Sequence, residues 1–187
     1  VLDEYWPSVT GDGQQLIFTR EVKRAAGYGR DYNRDRQEDF YVSRLTPEGY
    51  WGTARNAGAP LNTAGNEGAQ SISSDGRTMF FTACDRNDGQ GRCDIYFSTN
   101  DGKRWSPGNN LGQPVNTTYW ESQPSISPNG RMLFFVSNRP RGLGGFDIWL
   151  SVKNPNGVWG NAVNLGQPVN SPGNEQSPFI HFDNKTL

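Results

Sequence analysis

The chain has 187 residues, which is long enough for one domain with its own core, and its formal net charge is only −1. So small a charge gives no general attraction to nucleic acid or acidic lipid, and we expect neither as a partner. The longest apolar runs, such as Met132–Val136, are too short to cross a membrane as a helix.

The most informative feature of the sequence is an internal repeat of 54 residues. Three residue types recur at that spacing: Trp51, Trp105 and Trp159; Asn56, Asn110 and Asn164; Glu67, Glu121 and Glu175. The first copy begins at Glu4 and is longer, since Glu4 and Glu67 are 63 residues apart. The chain therefore divides into units 4–66, 67–120 and 121–174, and the start of a fourth unit at 175–187.

Each complete unit predicts four short strands in the same order. The first strand ends at a pair of residues that tolerates the positive φ of a tight turn, namely Asp12-Gly13, Asp75-Gly76, Asn129-Gly130 and Asp183-Asn184. The second strand is almost wholly apolar, as in Met79–Phe81, and this predicts cover on both faces. The third strand begins at Asp39, Asp94 or Asp147, and after a second turn the recurring tryptophan is predicted to open a short fourth strand.

Four antiparallel strands in each unit predict an all-β protein, a β-propeller in which every unit is one blade. A blade cannot bury both of its faces alone, so its neighbours must cover it. A closed ring needs at least four blades, whereas this sequence holds three and the start of a fourth. We therefore expect an incomplete ring whose remaining blades belong to a longer polypeptide.

The repeats resemble the WD40-like propeller repeats called PD40, which occur in TolB-like periplasmic proteins. The third unit carries the matching segments, which are 125–130, 134–135, 137–140 and 144–149. The tail Trp159-Gly160 with 164–171 is similar to the Bacteroidetes version, in which the propeller sits in envelope lipoproteins beside TPR and OmpA-like domains. One such family member belongs to the type IX secretion and gliding apparatus.

This resemblance implies a non-catalytic scaffold for protein–protein interaction. It places the scaffold in the periplasm, associated with the outer membrane, in a secretion-system or Tol/OmpA-like complex. The implied partners are envelope proteins or peptides.

The sequence is also compatible with a second class of function. In this alternative the chain is a carbohydrate-active propeller, either a glycosidase or a glycan-binding module. Residues 98–105 match the Asp-box hairpin of sialidase-type propellers, but that hairpin is a turn on the outer edge of a blade. A glycosidase needs carboxylates that converge within about 5 to 9.5 Å. The sequence predicts no such set, so we expect no catalytic residues, no metal site and no cofactor.

Cys84 and Cys93 are predicted to lie at the two feet of one loop in the second unit. The first ends the second strand and the other opens the third strand, and neighbouring antiparallel strands can bring two Cβ atoms within disulfide distance. We predict a disulfide and, with it, an oxidising compartment such as the periplasm. The alternative is two thiols that are buried separately.

The recurring glutamates stand at the entry of the first strand, which lines the axis of a propeller. The residues Glu4, Glu67, Glu121 and Glu175 are predicted to form a negative ring at the channel mouth, suited to a cation or a basic peptide. The alternative is that each carboxylate accepts hydrogen bonds within its own blade. Because the position recurs in every unit, the repeat itself favours this alternative.

Residues that break the repeat are better candidates for binding a partner. Trp120 stands where the other units have Asn66 and Asn174, and an exposed tryptophan on a rim loop can anchor a partner. Alternatively, Trp120 folds over its own blade. The long loop from Arg20 to Gln37 is rich in the arginine and tyrosine that interfaces use, and its candidate contacts are Tyr28, Arg30, Tyr32, Arg34 and Arg36. The alternative is a solvated loop whose arginines pair with its own acids.

Overall fold

In a computed structural model of the chain, which describes residues 3–23 and 36–187, all twelve regular elements are β-strands. In chain order they are β1 (Glu4–Val9), β2 (Gln15–Lys23), β3 (Arg36–Arg44), β4 (Arg55–Asn56), β5 (Asn66–Ile72), β6 (Thr78–Cys84), β7 (Cys93–Thr99), β8 (Asn109–Asn110), β9 (Glu121–Ile126), β10 (Met132–Ser137), β11 (Asp147–Val152) and β12 (Val163–Asn164). They form three antiparallel sheets, β1–β4, β5–β8 and β9–β12, with the strands of each sheet in sequence order. The predicted all-β fold of four-stranded units is confirmed.

The turn between the first two strands of each sheet forms where the sequence predicts it. Gly13, Gly76 and Gly130 have φ values of 70°, 67° and 67°, which cost a glycine nothing. In the second sheet, Asp75 Oδ1 accepts the Ser73 hydroxyl at 2.6 Å and the Arg77 N–H at 3.0 Å. These two hydrogen bonds stabilise the ionised carboxyl and hold the pKa of Asp75 below its usual value.

The fourth strand differs from the prediction, because the recurring tryptophan does not open it. Trp105 makes an isolated bridge to Asn100, and β8 begins only at Asn109. Between the two, the Ser98 hydroxyl donates to the Ser106 carbonyl at 2.7 Å. This side-chain bond adds to the backbone hydrogen bond from the Ser106 N–H to the Thr99 carbonyl. The equivalent side-chain bonds join Ser43 to Gly52 and Ser151 to Gly160.

The first sheet also differs from the prediction over the long loop that was expected from Arg20 to Gln37. β2 continues to Lys23 and β3 begins at Arg36, so residues at both ends of the expected loop belong to paired strands in regular register. An ion pair of 2.6 Å joins Arg36 Nη1 to Glu21 Oε2 and supports this extension.

The core lies between neighbouring sheets, as the apolar second strands predict. Successive side chains of a strand point to opposite faces. Phe81 of β6 therefore packs with Ile17 and Phe40 of the first sheet, while Phe80 packs with Phe135 of the third. Both faces of the second sheet are covered by neighbours, which is how propeller blades stack.

The first strands of the sheets, β1, β5 and β9, follow one another along one side of the molecule. Each contains a bulge at which a residue other than glycine has positive φ, and the same conformation occurs at Ser177. The bulged residues of the second and third sheets bond to the preceding sheet. The N–H of Ala69 donates to Thr19 Oγ1 at 3.2 Å, and that of Gln123 donates to Thr82 Oγ1 at 3.1 Å. Hydrogen bonds as well as apolar contacts therefore hold the blades together.

Residues 175–187 lie against the open face of the third sheet. Ile180 is buried with Phe134 and Ile148, and its N–H donates to Ser125 Oγ at 3.0 Å. This is the place that the first strand of a fourth blade would take. Within residues 3–23 and 36–187, no helix has the length and apolar character needed to cross a membrane.

Candidate functional site

Each sheet carries a glutamate–arginine pair that joins its first strand to its second strand or to the loop that follows it. The nitrogen–oxygen distances are 2.5 Å for Arg20–Glu4, 2.8 Å for Arg86–Glu67 and 3.1 Å for Arg139–Glu121. In every pair the guanidinium also lies over an aromatic ring of its own sheet, namely Tyr41, Tyr96 and Trp149. The pair is a repeated structural element of the blade.

Two of the recurring glutamates are fully buried and occupied by internal hydrogen bonds. Glu67 and Glu121 are both 0% exposed. The Thr117 N–H and hydroxyl donate to Glu121 at 2.8 and 2.7 Å, and the Ser137 hydroxyl donates at 2.8 Å. With no oxygen at the surface, these two carboxylates offer nothing to a cation or a basic peptide. Their hydrogen bonds are internal, as the alternative proposed, but Thr117 belongs to the preceding unit and not to the blade of Glu121.

The other two glutamates of the predicted ring have different surroundings. Glu4 is exposed and pairs with Arg20, whereas Glu175 is half-buried and accepts the Ser171 hydroxyl. The four equivalent carboxylates thus occupy three kinds of environment, and we treat the ring as a prediction only.

The recurring aspartates are buried and hydrogen-bonded within the protein, and two of them, Asp94 and Asp147, accept N–H groups of the loops that precede their strands. Asp94 accepts the N–H groups of Gln90 and Gly91 at 2.5 and 3.1 Å and the Asn110 amide at 3.0 Å. Asp39 and Asp147 are likewise buried and hydrogen-bonded beside the third strand.

A recurring asparagine has a role that sequence reasoning missed. Asn116 Oδ1 accepts the Ile95 N–H at 2.9 Å, and its Nδ2 donates to the Ile95 carbonyl at 2.8 Å. The side chain therefore takes the place of a neighbouring strand at the edge of β7. Asn62 and Asn170 do the same for β3 and β11. The signal was present in the sequence, since Asn62, Asn116 and Asn170 are spaced 54 residues apart.

The predicted disulfide between Cys84 and Cys93 is present at the loop end of the β6–β7 hairpin. The two residues are register partners, and their Cα atoms are 4.0 Å apart. The bond closes the loop 85–92, which carries Arg86, the partner of Glu67.

Replacing both cysteines by serine is expected to lower the free energy of unfolding by about 2–3 kcal/mol, because the unfolded chain regains the entropy of an open loop. Urea denaturation of the oxidised protein and of the double variant measures the difference. Wild-type protein treated with reductant serves as the matched reference and should resemble the variant. Equal midpoints for all three samples would show that the bond contributes nothing to stability.

In the first sheet, two glutamates occupy the register that the disulfide occupies in the second. Glu21 and Glu38 are directly opposite each other on β2 and β3. Glu21 pairs with Arg36, and Glu38 accepts the Tyr5 hydroxyl. Burial raises the pKa of the Glu38 carboxyl, against the lowering effect of the Tyr5 hydrogen bond. The pKa of Tyr5 is raised too, first by burial and then by Glu38.

Of the predicted partner contacts in the first unit, only Arg36 lies within the described residues. It is paired with Glu21, as the alternative of arginines neutralised by local acids requires. Tyr28, Arg30, Tyr32 and Arg34 lie outside the described residues.

Trp120 lies on the connection between the second and third sheets and is half-buried. Its ring meets the Phe146 ring edge-on, with 5.1 Å between centroids, and the backbone N–H of Trp120 donates to Asn138 Oδ1 at 3.0 Å. The tryptophan thus folds over the blade that follows it. Together with the neighbouring Tyr119, which is exposed, it forms a surface that we call the rim patch (Tyr119, Trp120 and Phe146).

A cleft of about 430 Å³ runs along the first strands, and we call it the axial cleft. Its walls come from residues 6–9, 11, 69–74, 123–126, 128, 177–180 and 182. They include Trp6, Ala69, Gln123 and Ser177, the equivalent residues with positive φ in the four units. The side chains that line it are uncharged throughout the described part of the chain. Trp6 lies in one wall, and Phe179 and Phe182, which are 63% and 68% exposed, lie in another. The sequence predicts carboxylates at the channel mouth and gives no sign of this uncharged surface.

Solved structures with a similar fold include TolB proteins. TolB from Acinetobacter baumannii is 17% identical with a TM-score of 0.58, and the match covers 98% of this chain and 36% of that one. A TolB-type protein from Agrobacterium tumefaciens is 20% identical with a TM-score of 0.54, covering 92% and 54%. A puromycin-hydrolyzing peptidase from Mycobacterium tuberculosis is 12% identical with a TM-score of 0.53, covering 88% and 23%.

These similarities show that the chain has a TolB-like propeller fold. No protein-family model and no curated protein matches the sequence. The chain spans 36% and 54% of the length of the two TolB-type structures, so the architecture is that of part of a propeller. Because a propeller supports both binding proteins and enzymes, function has to be argued from the site.

Proposed function

We propose that the chain is a segment of a non-catalytic β-propeller scaffold that binds another protein or a peptide in the bacterial envelope. The observation that carries the proposal is that the recurring glutamates and aspartates are engaged within the fold. Glu67 and Glu121, together with the aspartates of the third strands, accept hydrogen bonds inside the protein. These carboxylates therefore serve the fold, whereas a glycosidase needs carboxylates that face a substrate.

The axial cleft is the first proposed binding surface. Its volume of about 430 Å³ is within the range of ligand sites, and its lining combines small hydroxyl side chains with large exposed aromatics. Such a surface suits an uncharged or apolar stretch of polypeptide. Aromatic side chains contribute most to such contacts because they bury a large area at little entropic cost.

The rim patch is the second proposed binding surface. Tyr119 is 44% exposed beside Trp120, whose ring is already held against Phe146. A fixed aromatic ring loses little freedom when a partner covers it. Trp120 therefore remains a proposed partner contact, although part of its surface is used within the protein.

Location in the periplasm is supported by the disulfide, which requires an oxidising compartment, and by the resemblance of the repeats to envelope propellers. Association with the outer membrane, and membership of a secretion or Tol/OmpA-like complex, rest on that resemblance alone. The remaining blades would belong to the same longer polypeptide.

The carbohydrate-active alternative gains no support from the Asp-box segment. Asp101 Oδ1 accepts the N–H groups of Lys103 and Arg104 at 2.8 and 2.9 Å, so the carboxylate serves the turn. The same bonds hold the pKa of Asp101 below its usual value. This segment is therefore a structural hairpin.

Replacing Phe179 and Phe182, the two exposed aromatics of the axial cleft, by alanine tests the proposal. The tagged chain is used to capture proteins from envelope extracts, and the affinity of each captured protein is then measured with purified components. We expect the variant F179A/F182A to bind at least tenfold more weakly, since it removes both aromatics from one wall. The variant V158A/V163A changes two residues that are equally exposed but lie outside the cleft, and it should bind like the wild type.

Two results would contradict the proposal. One is equal binding of every captured protein by the two double variants and by the variant W120A. The other is turnover of chromogenic glycosides by the purified chain, which would favour the carbohydrate-active alternative.

A further inference from the structure

A groove of about 700 Å³ lies between the first and second units, and we call it the seam groove. One wall is Ala59 and Pro60, from the connection between β4 and β5. The other wall is formed by residues 99–101 and 104–107, from the end of β7 and the hairpin that leads to β8. Among the described residues, none lines both the seam groove and the axial cleft. The seam groove is therefore a third surface, separate from the axial cleft and from the rim patch.

The first wall of the seam groove is low because Ala59 departs from the repeat. The equivalent residues, at intervals of 54, are Gln113 and Gln167, and each of them precedes a proline as Ala59 precedes Pro60. A glutamine side chain is longer than the alanine methyl group, so the alanine leaves space between the two units. Because two other units carry glutamine at this position, the repeat itself does not require the space.

The Trp105 ring supplies an apolar surface to the seam groove. It is half-buried and packs in part against the core cluster between the first and second sheets. In the third unit, the Lys153 ammonium lies over the equivalent Trp159 ring at 4.7 Å. Thr99 stands in the place of Lys153 in the second unit, and no cation lies over Trp105 in the part of the chain that the structure describes. The ring therefore keeps a surface for a ligand, beside the prolines of both walls.

Arg104 brings a positive charge to the seam groove, where the other units have Tyr50 and Val158. Its side chain is exposed, and its guanidinium makes neither a hydrogen bond nor an ion pair with the residues that the structure describes. Asp101 also lines the groove, but its Oδ1 accepts two N–H groups of its own turn. Those hydrogen bonds lower the pKa of Asp101 more than the charge of Arg104 does. The guanidinium thus keeps all its donors for a carboxylate from outside.

We propose that the seam groove binds an extended segment of another polypeptide in which an acidic side chain stands next to an apolar one. The carboxylate pairs with the Arg104 guanidinium, whose planar donors match the two oxygens of a carboxylate. The apolar side chain lies on the Trp105 ring and excludes water from the pair. A neutral segment forgoes the charge-assisted hydrogen bonds, and a basic one is repelled. This proposal shares with the proposed function only the premise that the chain binds polypeptide.

A set of fluorescein-labelled peptides tests this proposal. Each has one glutamate flanked by leucine or proline, and each is paired with a copy in which glutamine replaces the glutamate. Fluorescence anisotropy at neutral pH measures their binding to the purified chain. We expect saturable binding of an acidic peptide, about tenfold tighter than that of its neutral copy. The variant R104Q should bind both copies with the affinity of the neutral one. The variant R131Q changes an exposed arginine outside the groove and should bind like the wild type.

The variant A59Q tests the shape of the seam groove separately from its charge. It introduces the residue that the other two units carry, so its near-UV circular dichroism should match that of the wild type. We expect it to bind the acidic peptide about tenfold more weakly, because the glutamine side chain fills space that the ligand needs. R104Q leaves the space unchanged and tests the charge even if A59Q proves unstable.

Absence of saturable binding by every acidic peptide would overturn the proposal, as would equal affinity of the acidic peptide for the wild type and R104Q. Saturable binding of oligogalacturonate that R104Q abolishes, with no binding of the peptides, would also overturn it, because the occupant would then be an anionic glycan. Arg104 does not line the axial cleft, so proteins whose capture depends on Phe179 and Phe182 should bind R104Q like the wild type. A failure of this proposal is thereby distinguishable from a failure of the proposed function.

Discussion

Replacing Glu121 by glutamine is expected to lower the free energy of unfolding by about 3–5 kcal/mol, because the variant leaves a buried guanidinium without its counter-charge. The Arg139 side chain is only 9% exposed. It lies between the rings of Phe135 and Trp149, at 5.0 and 5.2 Å, and also donates to the Val115 carbonyl of the preceding unit. Burial lowers the pKa of the Arg139 guanidinium, while Glu121 acts in the opposite direction.

A double-mutant cycle measures the interaction between Glu121 and Arg139 separately from the contacts that each makes with other residues. The variants E121Q, R139M and E121Q/R139M are compared by urea denaturation at neutral pH. The double variant should lose less free energy of unfolding than the two single variants lose together. It contains neither charge, so no buried charge is left without a partner. The variant E4Q is the matched control, because Glu4 is exposed and an exposed pair contributes about 0–1 kcal/mol. If E4Q and E121Q lost similar amounts of unfolding free energy, burial would not be the reason for the large effect expected at Glu121.

The variant F81A is expected to lose about 3–5 kcal/mol of stability, because it opens a cavity between two blades. Phe81 is fully buried and belongs to the cluster shared by the first and second sheets. Its ring meets the Phe40 ring of the first sheet edge-on, with 5.4 Å between centroids, and stacks on Tyr96 of its own sheet at 6.0 Å. Removing the ring therefore weakens both the blade and its contact with the neighbour.

The control for this experiment is the variant F182A. Phe182 is 68% exposed, so its loss should change stability by less than about 0.5 kcal/mol. Thermal unfolding followed by near-UV circular dichroism reports both values. A small loss in F81A, or a transition that leaves the first sheet folded while the second unfolds, would show that the sheets do not share one core.

The strands were predictable because each depends on local residue types that recur along the chain. The pair Asp75-Gly76 favours a tight turn because glycine accepts positive φ, and the apolar run Met79–Phe81 needs cover on both faces. The disulfide was predictable for the same reason, since Cys84 and Cys93 stand at the ends of two strands whose pairing follows from the hairpin.

The candidate site was predictable only in part, because its properties depend on neighbouring sheets. Glu4, Glu67 and Glu121 are equivalent in sequence, yet Glu4 is exposed and the other two are buried. The difference arises because Thr63 and Thr117 come from the end of the preceding unit and cover the carboxylates that follow them. The left-handed residues Trp6 and Ala69 were also unforeseeable, since neither is a residue type that favours positive φ.

The sequence alone determined the number of units, the order of their strands and the positions of their turns, because short-range backbone preferences and apolar patterning decide these features. The tertiary structure decided which of the repeated side chains are buried, which aromatics remain at the surface and where a charge lacks a partner. Burial is a property of the stacked sheets, and identical residues acquire different chemistry when one blade is covered by a neighbour and another is not.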